Sequence, residues 1–285
     1  MSGNRLVFGP IHRFQEIDST NSYLMAQAKR GVKEGLVAVA DWQITGKGRL
    51  GRTWVAYPGS SLLISVLLRP LLELDRLHIC SSIAALAAVD AIKACTGVDV
   101  LLKWPNDLIV SAGSGGLGSD EIQEYKLAGT LAEIQFENET SPFSTPAVVV
   151  GLGLNVNWDV DKLYPGAMSL NICVGHQIDN NQLENTYLSF LDSRYRKLNV
   201  SDSNIRRQAY EAQVDEYKSK CTTLRRYVKV ELINRTVYGK AVDITSDGRL
   251  ILEVGRSVDN VTKRTTKVFS AGDVVHLRTS SPMLD

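Results

Sequence analysis

The chain has 285 residues, 44% of them hydrophobic and 22% charged, a balance that excludes intrinsic disorder and suits one catalytic-sized domain plus a minor one. Its 32 Lys and Arg residues nearly cancel 31 Asp and Glu to a formal net charge of +1, so no global field recruits nucleic acid or an anionic membrane. Any basic site must be local.

Cys80, Cys95, Cys173 and Cys221 are scattered, with no C-x-x-C pair and no histidine at metal-ligand spacing, and read as reduced thiols of a cytoplasmic protein. The N-terminus lacks a continuous apolar signal, and Asp90 and Lys93 interrupt the best apolar helix, 79–98, so neither a leader nor a membrane span is expected. No internal repeat suggests a solenoid or propeller.

In chain order, the cap-forming cluster Asp18, Ser19, Thr20 and Asn21 precedes Tyr23, Leu24, Ala26 and Ala28 and ends at Gly31, which predicts a short capped helix. Nearly continuous apolar runs at 36–42 and 61–68 predict strands covered on both faces, separated by a polar, Gly-rich loop. Apolar residues at helical spacing predict a long helix over 72–95, stopped by Gly97. Strands are expected at 100–103, 108–110, 127–136 and 148–156, with a Gly/Ser-rich and then acidic loop at 111–124. Two polar-faced helices, 182–198 and 203–217, follow. From Thr222 onward short β-rich runs at 228–233, 240–244, 250–254, 265–269 and 274–277, with a turn at Ser246-Asp247-Gly248, predict a small all-β barrel. The domains are therefore placed at 1–221 and 222–285.

Charge and glycine concentrate in the segment 46–54, Gly-Lys-Gly-Arg-Leu-Gly-Arg-Thr-Trp. Glycines let a backbone approach an anion closely, while Lys47, Arg49 and Arg52 offer positive charge, so a phosphate-bearing ligand is indicated. The segment spells G-x-G-x-x-G and approximates a Walker A loop, but both motifs need a helix directly afterwards and Pro58-Gly59 would end one early. A second G-x-G-x-x-G, at 113–118, reads as flexible linker. A basic loop beside an aromatic could also grip single-stranded nucleic acid. Lys103-Trp104-Pro105-Asn106-Asp107 lies between apolar strands, where proline demands a bulge or a strand-to-strand turn. Lys126 opens the next strand before Leu127-Ala128-Gly129. The glycines of 151–157 mark a strand that a ligand or another backbone approaches closely.

Taken in order, Ser19-Thr20-Asn21, the loop 46–54, Lys103 to Asp107, Lys126 to Gly129 and Gly151 to Asn157 resemble the biotin protein ligase family over nearly the whole chain, including the C-terminal barrel. The resemblance implies an α+β enzyme, with a mixed sheet like that of class II aminoacyl-tRNA synthetases and an SH3-like C-terminal domain. It further implies that biotin, ATP and Mg²⁺ give biotinyl-5′-AMP, and that biotin then passes to a lysine of a biotin carboxyl carrier protein.

Carried over by position, the resemblance gives Ser19, Thr20, Asn21, Gln43, Lys47, Gly48, Arg49, Lys126 and Gly129 to biotin. Arg52, Trp54, Asn106 and Asn155 go to ATP, with Trp54 stacking on adenine and Asn155 at its edge. Lys126, Arg49 and Asp107 are the expected catalytic set, since a fixed cation eases the meeting of a carboxylate and a phosphate. Lys47 stands where the family often has Arg and keeps the charge without the planar fork. The metal ligands are unassigned.

Some relatives carry an N-terminal helix-turn-helix; only 18 residues precede Ser19, so no specific DNA binding is expected. The C-terminal domain would either assist ATP and carrier engagement or serve as a passive stabilising cap. Two rival functions stand beside the main one: lipoate or octanoate attachment on the same kind of fold, and a noncatalytic nucleic-acid-binding protein.

Overall fold

In the computed structural model, which describes residues 8–113, 122–136, 145–232, 234–258, 261–270 and 272–276, the apolar runs become the centre of a mixed sheet. Its strands are β1 (Ile11–Ile17), β2 (Val37–Gln43), β3 (Ser61–Leu68), β4 (Leu101–Lys103), β5 (Asp107–Gly113), β6 (Ile122–Gln135) and β7 (Ala147–Asn155), in the order β1-β2-β3-β7-β6-β5-β4. β1 and β2 pair in parallel and the other neighbours antiparallel. Every residue of β3 is buried, as its unbroken apolar run requires of a strand covered on both sides.

The period of two along β3 assigns the covers. Ile64, Val66 and Leu68 join the cluster containing the apolar side chains of α2 (Ile79–Thr96), whereas Leu67 packs with Leu24 and Ala28 of α1 (Thr20–Lys29). The two helices therefore lie on opposite faces. α2 is apolar nearly all round because the sheet covers one side and α4 (Asn180–Leu198) and α5 (Ser203–Lys220) cover the other. Each fully buried Leu or Ile of such a helix contributes roughly 1.5–3 kcal/mol. Asp90, the charge that breaks its apolar run, is paired at 2.5 Å with Arg194 of α4.

α2 begins at Ile79 rather than at the expected 72, because a separate 3₁₀ turn, Leu74–Arg76, precedes it. The helix ends as expected, on Gly97 in a left-handed conformation. Asp179 and Asp202 cap α4 and α5 by accepting from the first backbone amides of each helix. A short helix not anticipated, α3 (Leu170–Val174), lies between β7 and α4.

After α5 the chain forms a five-stranded antiparallel sheet from β8 (Tyr227–Leu232), β9 (Arg235–Ile244), β10 (Leu250–Val258), β11 (Val261–Phe269) and β12 (Asp273–His276), ordered β11-β10-β9-β8-β12. The turn at 245–248 connects β9 to β10, and its tip rests on the larger unit: a Cβ at Gly248 would fall 2.3 Å from the His78 ring.

Candidate active site

Three glycines make the floor of the site. Gly129 of β6 is paired with Gly153 of β7, and Gly151 lies two residues before Gly153 on the same face. The missing side chains are replaced by neighbours from elsewhere in the chain. A Cβ at Gly151 would stand 2.3 Å from the Asn21 Oδ1, and one at Gly153 would stand 2.5 Å from the Trp54 ring. The close approach expected for this strand is thus made by side chains. The floor closes a cavity of about 370 Å³.

On the α1 side the cavity wall is made of uncharged side chains bonded to one another and, through Asn21, to the Glu133 carboxylate. Ser19 caps α1, accepting from the Ser22 amide, which leaves Thr20 and Asn21 in the first turn, buried over β3. The Gln43 Oε1 accepts from the Thr20 amide at 2.8 Å and from its hydroxyl at 3.1 Å. Thr20 and Ser65 hydroxyls lie 2.7 Å apart, the Ser65 hydroxyl donates to Asn21 Oδ1 at 2.6 Å, and Asn21 Nδ2 donates to Glu133 Oε2 at 2.8 Å. Such a network holds its members in place because an unpaired buried group would be costly.

The opposite wall is the basic segment, folded as a tight hairpin. Gly46 and Trp54 are bonded through the Trp54 amide, Gly48 donates to the Arg52 carbonyl, and Lys47 pairs with Thr53. Gly46 is required because a Cβ there would strike the Trp54 carbonyl at 2.3 Å. The tip, Arg49–Gly51, takes one 3₁₀ turn with Leu50 and Gly51 both at positive φ. No long helix follows, as Pro58-Gly59 led one to expect.

Each cation here faces a carboxylate. Lys47 Nζ is 3.7 Å from Glu133 Oε1, and Arg52 is bonded to Asp273 of β12. Burial lowers the Arg49 pKa from its ordinary value, an effect that the nearby Asp107 and Asp273 carboxylates oppose. Lys126 Nζ lies 2.6 Å from Asp107 Oδ1 and 5.6 Å from the centre of the Trp54 ring.

Local irregularities aim this last pair. Between β5 and β6, Leu108 pairs with Ala128 but Ile109 pairs with Lys126, so β6 carries one extra residue. The extra residue is Leu127; Lys126 stays opposite Ile109, and its backbone also bonds Gly166 and Met168. Lys103 to Asp107 is a strand-to-strand turn joining β4 to β5, with a cis peptide before Pro105. Asn106 fastens the turn to β6, its Nδ2 donating to the Thr130 carbonyl at 2.7 Å while the Thr130 amide donates back to the Asn106 carbonyl.

Ser19, Thr20, Asn21, Gln43, Lys47, Gly48, Arg49, Arg52, Trp54, Asn106, Asp107, Lys126 and Gly129 therefore meet around one cavity. Asn155 does not. Its side chain is buried two residues beyond Gly153, and its Nδ2 donates to the Met168 carbonyl at 3.0 Å. Trp54 packs on the floor with its Nε1 buried and unpaired. The loop expected at 111–124 is shorter than that, because 111–113 pair with 122–124 as the ends of β5 and β6; residues 114–121, with all of the second glycine motif but Gly113, lie outside the described residues.

Ser65, Glu133, Glu231 and Asp273 also line or brace the site and were not singled out in the sequence. Ser65 and Glu133 had no signal beyond being polar residues on strands. A larger cavity, about 460 Å³, lies on the α2 face against the 245–249 turn and shares Arg49 and the 104–106 turn as a wall.

Comparison with known proteins gives the family and the fold. Residues 13–155 match the sequence model of the biotin/lipoate A/B protein ligase family, and residues 226–277 match that of the biotin protein ligase C-terminal domain. The chain is 33% identical over 266 residues to the biotin–acetyl-CoA-carboxylase ligase of Mycobacterium tuberculosis, covering 91% of this chain and 86% of that one. It is 28% identical over 249 residues to the bifunctional ligase/repressor BirA of Bacillus spizizenii, covering 86% of this chain and 70% of that one. Among solved structures, biotin protein ligase from Aquifex aeolicus in complex with biotin and ATP has the same fold, with a TM-score of 0.67 and 24% identity over 95% of this chain and 100% of that one.

Proposed function

The chain belongs to the biotin/lipoate A/B protein ligase family, and from that premise we propose that it is a biotin protein ligase, which activates biotin with ATP and transfers it to a lysine of a biotin carboxyl carrier protein. The observation that carries this reading is the one cavity in which a wall of uncharged, hydrogen-bonded side chains faces five cations, Lys47, Arg49, Arg52, Lys103 and Lys126, across a glycine floor. The neutral wall supplies donors and acceptors for an uncharged heterobicyclic head and the floor leaves room for it. The cations suit a carboxylate and a polyphosphate.

In the first step a biotin carboxylate oxygen attacks the α-phosphorus and pyrophosphate leaves. Two anions must come together, and Lys126, already held at the edge of the floor by Asp107, is the point charge between them. Arg49 and Lys47 hold the biotin carboxylate and the activated phosphate, Arg52 the polyphosphate, and Trp54 offers its ring to adenine. Gly48 and Gly129 give backbone contacts to biotin, and Asn106 stabilises the nucleotide side by fixing the 103–107 turn. In the second step the carrier lysine attacks the acyl carbon and AMP leaves.

ATP would arrive with Mg²⁺. Asp107 and Asp273 are carboxylates of the hard-oxygen type such a cation takes, and among the described residues no group of three or more acidic, His or Cys ligands forms a cage. That fits an ion held mainly by the polyphosphate, where it would neutralise charge. The domains divide at Cys221, the larger resembling class II synthetase sheets and the smaller an SH3-like module. The protein works in the cytoplasm, where its carrier is made, and its near-neutral charge favours no specific binding to duplex DNA.

The test is incubation with biotin, ATP, Mg²⁺ and an apo carrier domain, followed by intact mass measurement of the carrier. A gain of one biotinyl group that requires ATP supports the reading. Lipoyl or octanoyl transfer in matched incubations, without biotinyl transfer, would replace it with the related acyl attachment.

A further inference from the structure

The catalytic pair Lys126 and Asp107 sits on neighbouring strands: Asp107 opens β5 opposite Gly129 of β6, and the bulge in β6 lies between that pairing and Lys126. Both are tied to the C-terminal sheet by one chain of hydrogen bonds. The Trp104 amide, three residues before Asp107, donates to the Thr223 Oγ1 at 3.0 Å. The Thr223 hydroxyl lies 3.1 Å from His276 Nε2, and His276 Nδ1 lies 2.8 Å from Glu124 Oε2, two residues before Lys126. Arg226 donates to the other Glu124 oxygen at 2.5 Å. Thr223 is fully buried and the side chains of His276 and Glu124 are 7% and 14% exposed.

A carboxylate only accepts, so His276 Nδ1 donates to Glu124, and the Thr223 oxygen, in contact with Nε2, accepts from the Trp104 amide. The arrangement has the order of a nucleophile, histidine and carboxylate triad, but its hydroxyl is buried and already holds a backbone amide, which excludes it as a nucleophile. The Trp104 side chain is held in turn, Nε1 donating to the Gly248 carbonyl at 2.9 Å.

We propose that Thr223, His276 and Glu124 are positioning residues, a hydrogen-bonded caliper through which the C-terminal domain sets the separation of Lys126 and Asp107 for adenylate formation. The inference rests on the ligase reading above and makes the C-terminal domain a working part of the adenylation site.

Thr223→Val removes the acceptor of the Trp104 amide at nearly constant shape. Its kcat for biotin-dependent pyrophosphate release should fall roughly tenfold, with the biotin KM within about twofold of wild type, and Thr223→Ser should recover most of the loss. In a Lys126→Ala background the same substitution should cost no further rate, because there is no cation left to position, while its shift in thermal midpoint should persist. Equal rate losses in both backgrounds, or wild-type kcat in Thr223→Val, would overturn the caliper. If Thr223→Val does not fold, Glu124→Gln at the far end of the chain is read by the same two-background comparison. A wild-type chain that releases no pyrophosphate with biotin would instead overturn the ligase reading, so the two failures are distinguishable.

Discussion

On the α1 side of the cavity Thr20, Asn21 and Ser65 are buried and bonded to their neighbours, whereas on the hairpin side Lys47, Arg52 and Lys126 have side chains 45%, 67% and 41% exposed, each held by a carboxylate. The first wall has its shape before any ligand arrives. The second can share or exchange partners, since a phosphate oxygen meets exposed cations that still have N–H donors beyond those facing Glu133, Asp273 or Asp107. That exchange is inexpensive, because ion pairs this exposed contribute only about 0–1 kcal/mol each. The proposed recognition of the neutral head and the proposed handling of the anions fall on different walls, which meet at Glu133 between Asn21 and Lys47.

The most severe break in that separation is Lys126→Ala. Removing a cation that is needed most where the two anions meet should slow adenylate formation by roughly 10²–10³-fold, as loss of one preorganised charge-stabilising group does elsewhere, with biotin affinity little changed. Pyrophosphate-release kinetics alongside biotin titration checks it. A fall in biotin affinity as large as the fall in rate would move Lys126 to the recognition wall.

Gly151→Ala attacks the opposite wall. Its methyl would meet Asn21 Oδ1, a buried group with fixed partners, and forcing it aside costs ~1–3 kcal/mol, so biotin affinity should fall roughly 5- to 150-fold by titration calorimetry. ATP affinity should change far less. Parallel losses of both would show that the walls are coupled through the floor.

Arg49→Gly should act on retention. A mixed anhydride must be kept from water until the carrier lysine arrives, and charge-assisted bonds worth ~1.5–3 kcal/mol would slow its escape by roughly one to two orders of magnitude. The variant should label an unrelated lysine-rich protein with biotin more than wild type does. Labelling no higher than wild type, with adenylate still being made, would remove Arg49 from that role.

Trp54→Ala should weaken ATP by about 1–3 kcal/mol if the ring stacks on adenine. Because the indole also packs on Gly153 and Gly129, a raised biotin requirement with an unchanged ATP requirement would place its main role at the floor.

The strands at 61–68 and 148–156 were legible because buried central strands must be continuously apolar, and all but one of the expected site residues meet in one cavity because the ligand chemistry demands unusual local sequences there. Ser65 and Glu133 were not legible. Nothing in a strand's own sequence says that a serine will bond an asparagine 44 positions earlier. The Asn155 Nδ2 bond to the Met168 carbonyl was hidden for the same reason, since it comes from a segment whose path only the fold decides. The caliper was equally hidden, since Glu124, Thr223 and His276 are far apart in sequence and individually unremarkable. α2 was extended too far because 72–78 continues the apolar spacing, although the backbone there tightens to a 3₁₀ turn.

The division of labour between the two walls is tested most directly by native mass spectrometry of wild type and Lys126→Ala after incubation with biotin, ATP and Mg²⁺. Wild type should carry one biotinyl-AMP per chain, and Lys126→Ala should carry biotin without the adenylate. A variant that holds the adenylate to wild-type occupancy as quickly as wild type, or one that has lost biotin altogether, would contradict the account.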